Sequence, residues 1–173
     1  TLKTLGYTFI EPGEGFLACG YVAKGRLEEP EAIIARLEEA FSEQKPLQGK
    51  KILITAGPTR EKIDPVRFMT NFSSGKMGYA IAEVAANLGA DVILVSGPTA
   101  LNPPLHVNTV QVESAQDMLE VVLQQYQNVD VVIKTAAVAD YRPKYVHDNK
   151  MKKKNGDAVI ELERTVDILK TLG

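Results

Sequence analysis

Asn71-Phe72-Ser73-Ser74-Gly75-Lys76-Met77-Gly78 places an amide, two hydroxyls and two glycines in eight residues, directly ahead of an amphipathic stretch expected to be helical from Tyr79 to Leu88 and to end at Gly89. A small-residue turn at a helix start offers unpaired backbone N–H groups and the positive end of the helix dipole, a combination suited to phosphate. Against a G-x-G-x-x-G template, Ser73 takes the first position and Gly75 and Gly78 the others. Two readings stay open: close approach of backbone to phosphate, or glycines that let helix and strand pack tightly.

Three further places have residue types that could do chemistry. Ala136-Ala137-Val138-Ala139-Asp140 ends an apolar run; small residues admit a ligand to the backbone, and Asp140 could hold a ligand hydroxyl or a metal ion, or be a solvated turn aspartate. Lys150, Lys152, Lys153 and Lys154 form a basic run that is either a solvated loop or the source of a cation over a polyphosphate; pattern does not choose among them. The single cysteine, Cys19, lies between glycine turns and reads either as a small apolar residue or as a catalyst. His106 and His147 are isolated, so the spacing supports no structural zinc.

The elements that must position these groups alternate. Strands are expected at Lys51–Thr55, Asp91–Ser96, Val107–Val112 and Val129–Thr135, with helices at Tyr79–Leu88 and Ala115–Gln127. Continuous β-branched runs between helices predict a parallel sheet covered on both faces, a doubly wound, Rossmann-like α/β fold. Residues 58–74 and 141–157 are long excursions at strand ends, where ligand chemistry is commonly placed. Upstream, Tyr7–Ile10 reads as β-like. Residues 28–43 read as a helix with Pro30 in its first turn and Ile33, Ile34, Leu37 and Phe41 on one face. The polar stretch 44–50 reads as a linker, giving domains 1–43 and 51–173.

Composition narrows the classes. The chain has 173 residues, 45% hydrophobic and 24% charged, with a net charge of −2, which calls for neither nucleic acid nor an anionic membrane. No apolar run approaches the roughly 20 residues of a bilayer span, no leader-like segment opens the sequence, and one cysteine fits a reducing compartment, so the cytoplasm is expected. A dinucleotide site wants an acidic residue roughly 20 positions beyond its glycines, and Val95-Ser96-Gly97 offers none; no Walker A string is present either. A start at Thr1 and a stop just after a helix begins suggest a segment of a longer protein.

In order along the chain, LACGYVAKGRL, ITAGPTREKIDPVRFMTNFSSGKMG, TAAVADYRP and KMKK resemble the bacterial phosphopantothenoylcysteine decarboxylase/phosphopantothenate–cysteine ligase family. The resemblance implies a decarboxylase tail at 1–43 and a C-terminally incomplete ligase domain at 51–173. It implies that 4′-phosphopantothenate, cysteine and CTP are substrates, with Mg²⁺ bound to the triphosphate and FMN in the decarboxylase of the parent protein. Ligase domains of this family pair, so a homo-oligomer is expected.

By the same resemblance, Gly57, Ser73, Gly75 and Gly78 contact phosphate, and Lys134, Thr135, Ala136, Val166, Asp167, Ile168 and Leu169 contact nucleotide, as does Asp140. Asn71 orients the acyl intermediate, while Ala136, Ala137 and Asp140 border phosphopantothenate; a metal at Asp140 would be held mostly through the triphosphate. Lys150 is the lysine used in catalysis, where removing a preorganised partner of developing charge typically costs about 3 kcal/mol or more. Cys19 matches the decarboxylase proton donor. The chain departs from the usual pattern at Thr165-Val166, where the family has Asn-Pro. A rival reading from the residues alone is a regulatory nucleotide-binding α/β domain without chemistry.

Overall fold

A computed structural model describes every residue except 1, 6, 18, 42–44, 154, 155 and 157, and only the backbone of residues 3, 39 and 41. The chain divides into two compact units, Thr1–Gln44 and Lys45–Gly173.

In the first unit a 3-10 turn, Lys3–Leu5, precedes an antiparallel hairpin of β1 (Gly13–Phe16) and β2 (Val22–Arg26), followed by helix α1 (Pro30–Phe41). Tyr7–Ile10, expected to be β-like, is not a strand. The strands lie at 13–16 and 22–26 because Gly20, with φ at +96°, reverses the chain between them. Helix α1 begins at Pro30, whose missing N–H is harmless in a first turn. Ile34 and Leu37 on its apolar side are exposed, and the Phe41 side chain lies outside the described residues.

The second unit contains the predicted α/β sheet. Strands β3 (Lys51–Ala56), β6 (Asp91–Ser96), β7 (Val107–Gln111) and β8 (Val131–Lys134) are all parallel, in the order β7-β6-β3-β8. Helix α2 (Lys76–Asn87) covers one face through Tyr79, Ala82 and Ala85 against Ile52, Ile54, Val92 and Leu94. Helices α3 (Ala115–Tyr126) and α4 (Ile168–Leu172) cover the other through Met118, Leu119, Val122 and Ile168 against Leu53 and Val95. The period-2 alternation of a strand sends Ile52 and Ile54 to one layer and Leu53 to the other, so a run that is apolar throughout fills both.

Two findings modify the expected elements. Residues 58–74 are not an irregular loop: β4 (Arg60–Asp64) and β5 (Arg67–Thr70) form an antiparallel hairpin inserted between β3 and α2. The 141–157 excursion opens on β9 (Tyr141–Pro143), which pairs antiparallel with β10 (Leu162–Arg164) and lies alongside β4. Helix α2 also starts at Lys76, three residues ahead of Tyr79, because the left-handed Gly75 caps it and Gly78 sits inside the first turn.

Candidate functional site

The strand order places β3, β6 and β7 on one side and returns the chain to β8 on the other, so the direction of winding reverses between β3 and β8. In an open parallel sheet, a crevice forms at the carboxyl ends of the strands flanking such a reversal. Here those ends are Gly57-Pro58 and Thr135-Ala136-Ala137, linked by a bridge between Pro58 and Ala137 and by the Ala137 N–H donating to the Gly57 carbonyl at 2.8 Å. A cleft of about 500 Å³ opens beside the β8 exit. Lys134, Ala136, Ala137 and Asp140 line one wall, and Arg164, Thr165, Val166, Asp167 and Ile168 the other.

The second wall is fixed by short contacts. The Thr165 N–H donates to the Asp140 carbonyl at 2.9 Å, and its hydroxyl donates to the Ala139 carbonyl. Asp167 caps α4 by accepting from the Lys170 N–H at 3.2 Å, and faces the Lys134 ammonium at 3.7 Å. The Lys170 N–H, with the Lys134 ammonium and the Leu169 N–H assisting, holds the Asp167 carboxyl below its ordinary value against the opposing cost of desolvation. The cleft is therefore balanced, with two cations (Lys134, Arg164) and two carboxylates (Asp140, Asp167).

Gly57 and Gly75 lie against each other at φ of +73° and +75°; a Cβ on Gly75 would come within 3.3 Å of the Gly57 backbone and 2.8 Å of the Thr99 methyl. Neither position accepts a side chain without strain. Gly78 has a different role. A Cβ there would meet Ala56 and the Thr135 hydroxyl at 2.5 Å, so this glycine lets α2 pack on the end of β3 and the residue that follows β8. The turn at the start of α2 therefore ends at Gly75, whose N–H donates to the Ser73 hydroxyl at 3.4 Å; no side chain caps the helix.

Asn71 joins the two loops. Its amide donates to the carbonyls of Ala137 and Val138, each at 3.2 Å, which leaves Oδ1, an acceptor, as the group it can offer outward. Thr59, fully buried, ties the same pieces together: its hydroxyl accepts from the Ala139 N–H at 3.0 Å, and its carbonyl accepts from the Thr70 hydroxyl at 2.7 Å.

The sequence-predicted residues are thus brought together unequally. Lys134, Ala136, Ala137, Asp140, Val166, Asp167 and Ile168 share the cleft. Asn71 and Gly57 do not line it but bond to residues of its wall, Gly75 packs on Gly57, and Ser73 bonds only to Gly75. Thr135 faces inward, its hydroxyl donating to the Thr55 carbonyl at 2.6 Å, and Leu169 is exposed on α4. Lys150 is exposed and outside the cleft lining; its neighbour Met151 is held instead to the β4–β5 turn. Lys154 lies outside the described residues. Cys19 is exposed in the β1–β2 turn rather than buried as a small apolar residue would be. Among the described residues no group of three or more His, Cys, Asp or Glu could hold a metal.

Sequence reasoning missed two buried carboxylates on the hairpin. Glu61, 4% exposed, accepts from the Ala115 N–H at the start of α3 at 2.8 Å. Asp64, 2% exposed, accepts from the Val66 N–H at 2.9 Å, from Arg67 and from the Met151 N–H at 3.0 Å. Asp64-Pro65 is a turn-initiating pair, and that signal was available in the sequence.

Comparison with known proteins places this geometry in a family. Residues 47–173 match the model described as DNA/pantothenate metabolism flavoprotein C-terminal domain. The Coenzyme A biosynthesis bifunctional protein CoaBC of Bacillus subtilis is 62% identical over 171 residues, covering 97% of this chain and 42% of that protein. The chain thus spans less than half the length of this relative. A crystal structure of the C-terminal domain of a CoaBC protein is 83% identical, with a TM-score of 0.66 over 76% of this chain and 61% of that one. The DNA/pantothenate metabolism flavoprotein of Streptococcus pneumoniae is 27% identical, with a TM-score of 0.64 over 72% of this chain and 64% of that one. From residue 47 onward, the chain belongs to the family of DNA/pantothenate metabolism flavoprotein C-terminal domains.

Proposed function

We propose that this chain serves coenzyme A biosynthesis as the ligase part of a bifunctional protein, joining 4′-phosphopantothenate to cysteine at the expense of CTP. The carboxylate of the acid attacks the α-phosphorus of CTP and pyrophosphate leaves, giving an acyl-cytidylate. The cysteine amine then attacks the acyl carbon, CMP departs, and the amine loses a proton.

The observation that supports this reading best is the cleft at the winding reversal, to whose wall Asn71 and Gly57 are bonded. Its volume is in the range of small-molecule sites. The balanced charge of its lining suits a base, a ribose and a neutral amide better than a bare triphosphate, whose charge needs further cations. The open start of α2, Mg²⁺ carried by the triphosphate and Lys150 supply these in the proposal. Asp140, exposed at the cleft edge, would meet that Mg²⁺ through the nucleotide rather than as one of a protein ligand set. In the same reading unit 1 is the tail of the FMN-dependent decarboxylase, with Cys19 as its proton donor. The described residues of this chain offer that flavin only a hairpin and a helix, so its binding belongs to the parent protein. Ligase-domain dimers and a cytoplasmic location complete the proposal. No helix among the described residues is long and apolar enough to cross a membrane.

The test is pyrophosphate release from CTP and Mg²⁺, with and without 4′-phosphopantothenate, on this chain and on one extended at its C-terminus. Release that requires the acid supports carboxylate activation. Release only from the longer chain shows that further segments complete the site. Silence from both, with folded protein, would sink the ligase in favour of a nucleotide-binding regulator. Lys150→Gln in the full-length protein is expected to slow acyl-cytidylate formation by about a hundredfold or more, the scale of losing a preorganised charge partner.

A further inference from the structure

Lys150 sits in the excursion between β9 and β10, one residue before an unusual junction. Met151 has both of its backbone groups held by the β4–β5 turn: its N–H donates to Asp64 Oδ2 at 3.0 Å, and its carbonyl accepts from Arg67 at 3.0 Å. Arg67 in turn donates to the same Asp64 oxygen through Nε at 3.0 Å and through its terminal nitrogen. The Val66 N–H occupies the other oxygen at 2.9 Å, and four residues upstream of Met151 the His147 N–H donates to the Ile63 carbonyl at 3.0 Å. One side chain, Asp64, thus closes the hairpin turn and fastens the segment bearing Lys150 to it.

We propose that Asp64 is a positioning residue for Lys150, fixing where the excursion leaves the hairpin and hence where the ammonium can reach. The inference rests on the catalytic reading of Lys150 given above. A lysine has four rotatable carbons, so its reach is useful only if its backbone is anchored. A carboxylate is the acceptor that can serve a guanidinium and two backbone N–H groups together, because both its oxygens accept and neither donates. Its ionised state is secured by the same contacts: the Arg67 guanidinium foremost, then the Val66 and Met151 N–H groups, hold the carboxyl far below the usual carboxylate range against the cost of burial. Asparagine keeps the shape but points an N–H at donors, which breaks the junction while leaving little change in volume.

In the full-length protein, Asp64→Asn should slow pyrophosphate release at saturating CTP and 4′-phosphopantothenate at least tenfold, with KM for both changed less than threefold. Conversion of preformed acyl-cytidylate by cysteine should stay within twofold, because that step does not use the Lys150 charge. Peptides covering 147–153 should exchange amide hydrogens faster by a larger factor than those of β3 and β6. Met151→Pro removes the donated N–H without touching the buried carboxylate and should reproduce the rate loss; Met151→Ala, which keeps the N–H, should not. Equal slowing of both half-reactions would overturn the proposal in favour of a merely structural role, as would faster exchange with unchanged pyrophosphate release, or unchanged exchange. Should Lys150→Gln itself turn over at the wild-type rate while exchange still rises in Asp64→Asn, the role of Lys150 has failed, and the positioning proposal fails with it.

Discussion

At the scale of single residues, the site depends on groups that join two loops. Asn71 donates to two carbonyls of the 136–139 segment and has only an acceptor left to present. Asn71→Asp turns both donations into contacts between oxygens about 3.2 Å apart and adds a charge beside a phosphate-bearing intermediate. We expect acyl-cytidylate to form and accumulate while its conversion to product falls at least tenfold; rapid-quench measurement of the intermediate checks this. Asn71 was singled out by the resemblance of its motif to the ligase family, not by its spacing. Its partners could not be read off locally, since they lie 66 and 67 residues further along the chain. Asp64 was missed for the opposite reason: a turn aspartate is usually solvated, whereas this one is buried and bonded to Met151, 87 residues away.

At the scale of elements, the glycines show how one pattern serves two purposes. Gly75 needs its positive φ, whereas Gly78 needs to lack a Cβ, because α2 passes close to Ala56 of β3 and to Thr135 there. Of the two readings of the motif that spacing left open, tight packing is what Gly78 shows, while Gly75 is required by the conformation of its turn. Gly78→Ala would press a methyl into Ala56 and Thr135 and should destabilise the unit by about 1–3 kcal/mol, the usual cost of overpacking. Chemical denaturation gives the measurement, and a shift below about 0.5 kcal/mol would argue against the tight packing. The hairpin of β4 and β5 was not legible as such: Arg60–Asp64 reads Arg-Glu-Lys-Ile-Asp, with a single apolar residue, and its strand identity comes from the partner it pairs with.

At the scale of the whole molecule, buried or capped carboxylates make the second unit sensitive to acid. Asp64, Asp117 and Asp167 all have folded-state values below the ordinary one: Asp64 through Arg67, Asp117 through the Ser114 N–H in its capping box, and Asp167 through the Lys170 N–H. A depressed carboxylate contributes stability that is fully present above the unfolded value near 3.9 and is lost as pH falls toward the folded one. The urea midpoint should therefore drop steadily below about pH 5, most steeply below about pH 4. Asp64→Asn should be less stable at neutral pH and show a shallower acid slope. An unchanged slope would mean that Asp64 does not govern the acid response.

By itself, the sequence determined the parallel sheet, its helical cover and the order of the motifs. Apolar runs at β3, β6 and β8, and the 3.6-residue pattern of α2 and α3, are local properties set by which faces each element must bury. Element ends followed less closely, as α2 shows by starting inside the expected loop. Tertiary structure decided what local pattern does not contain: that β8 lies beside β3 so that Ala137 meets Gly57, that Thr165 closes the cleft, and that the hairpin turn holds Met151. Those contacts join segments tens of residues apart, and their partners are chosen by the winding of the sheet, which only the folded chain expresses.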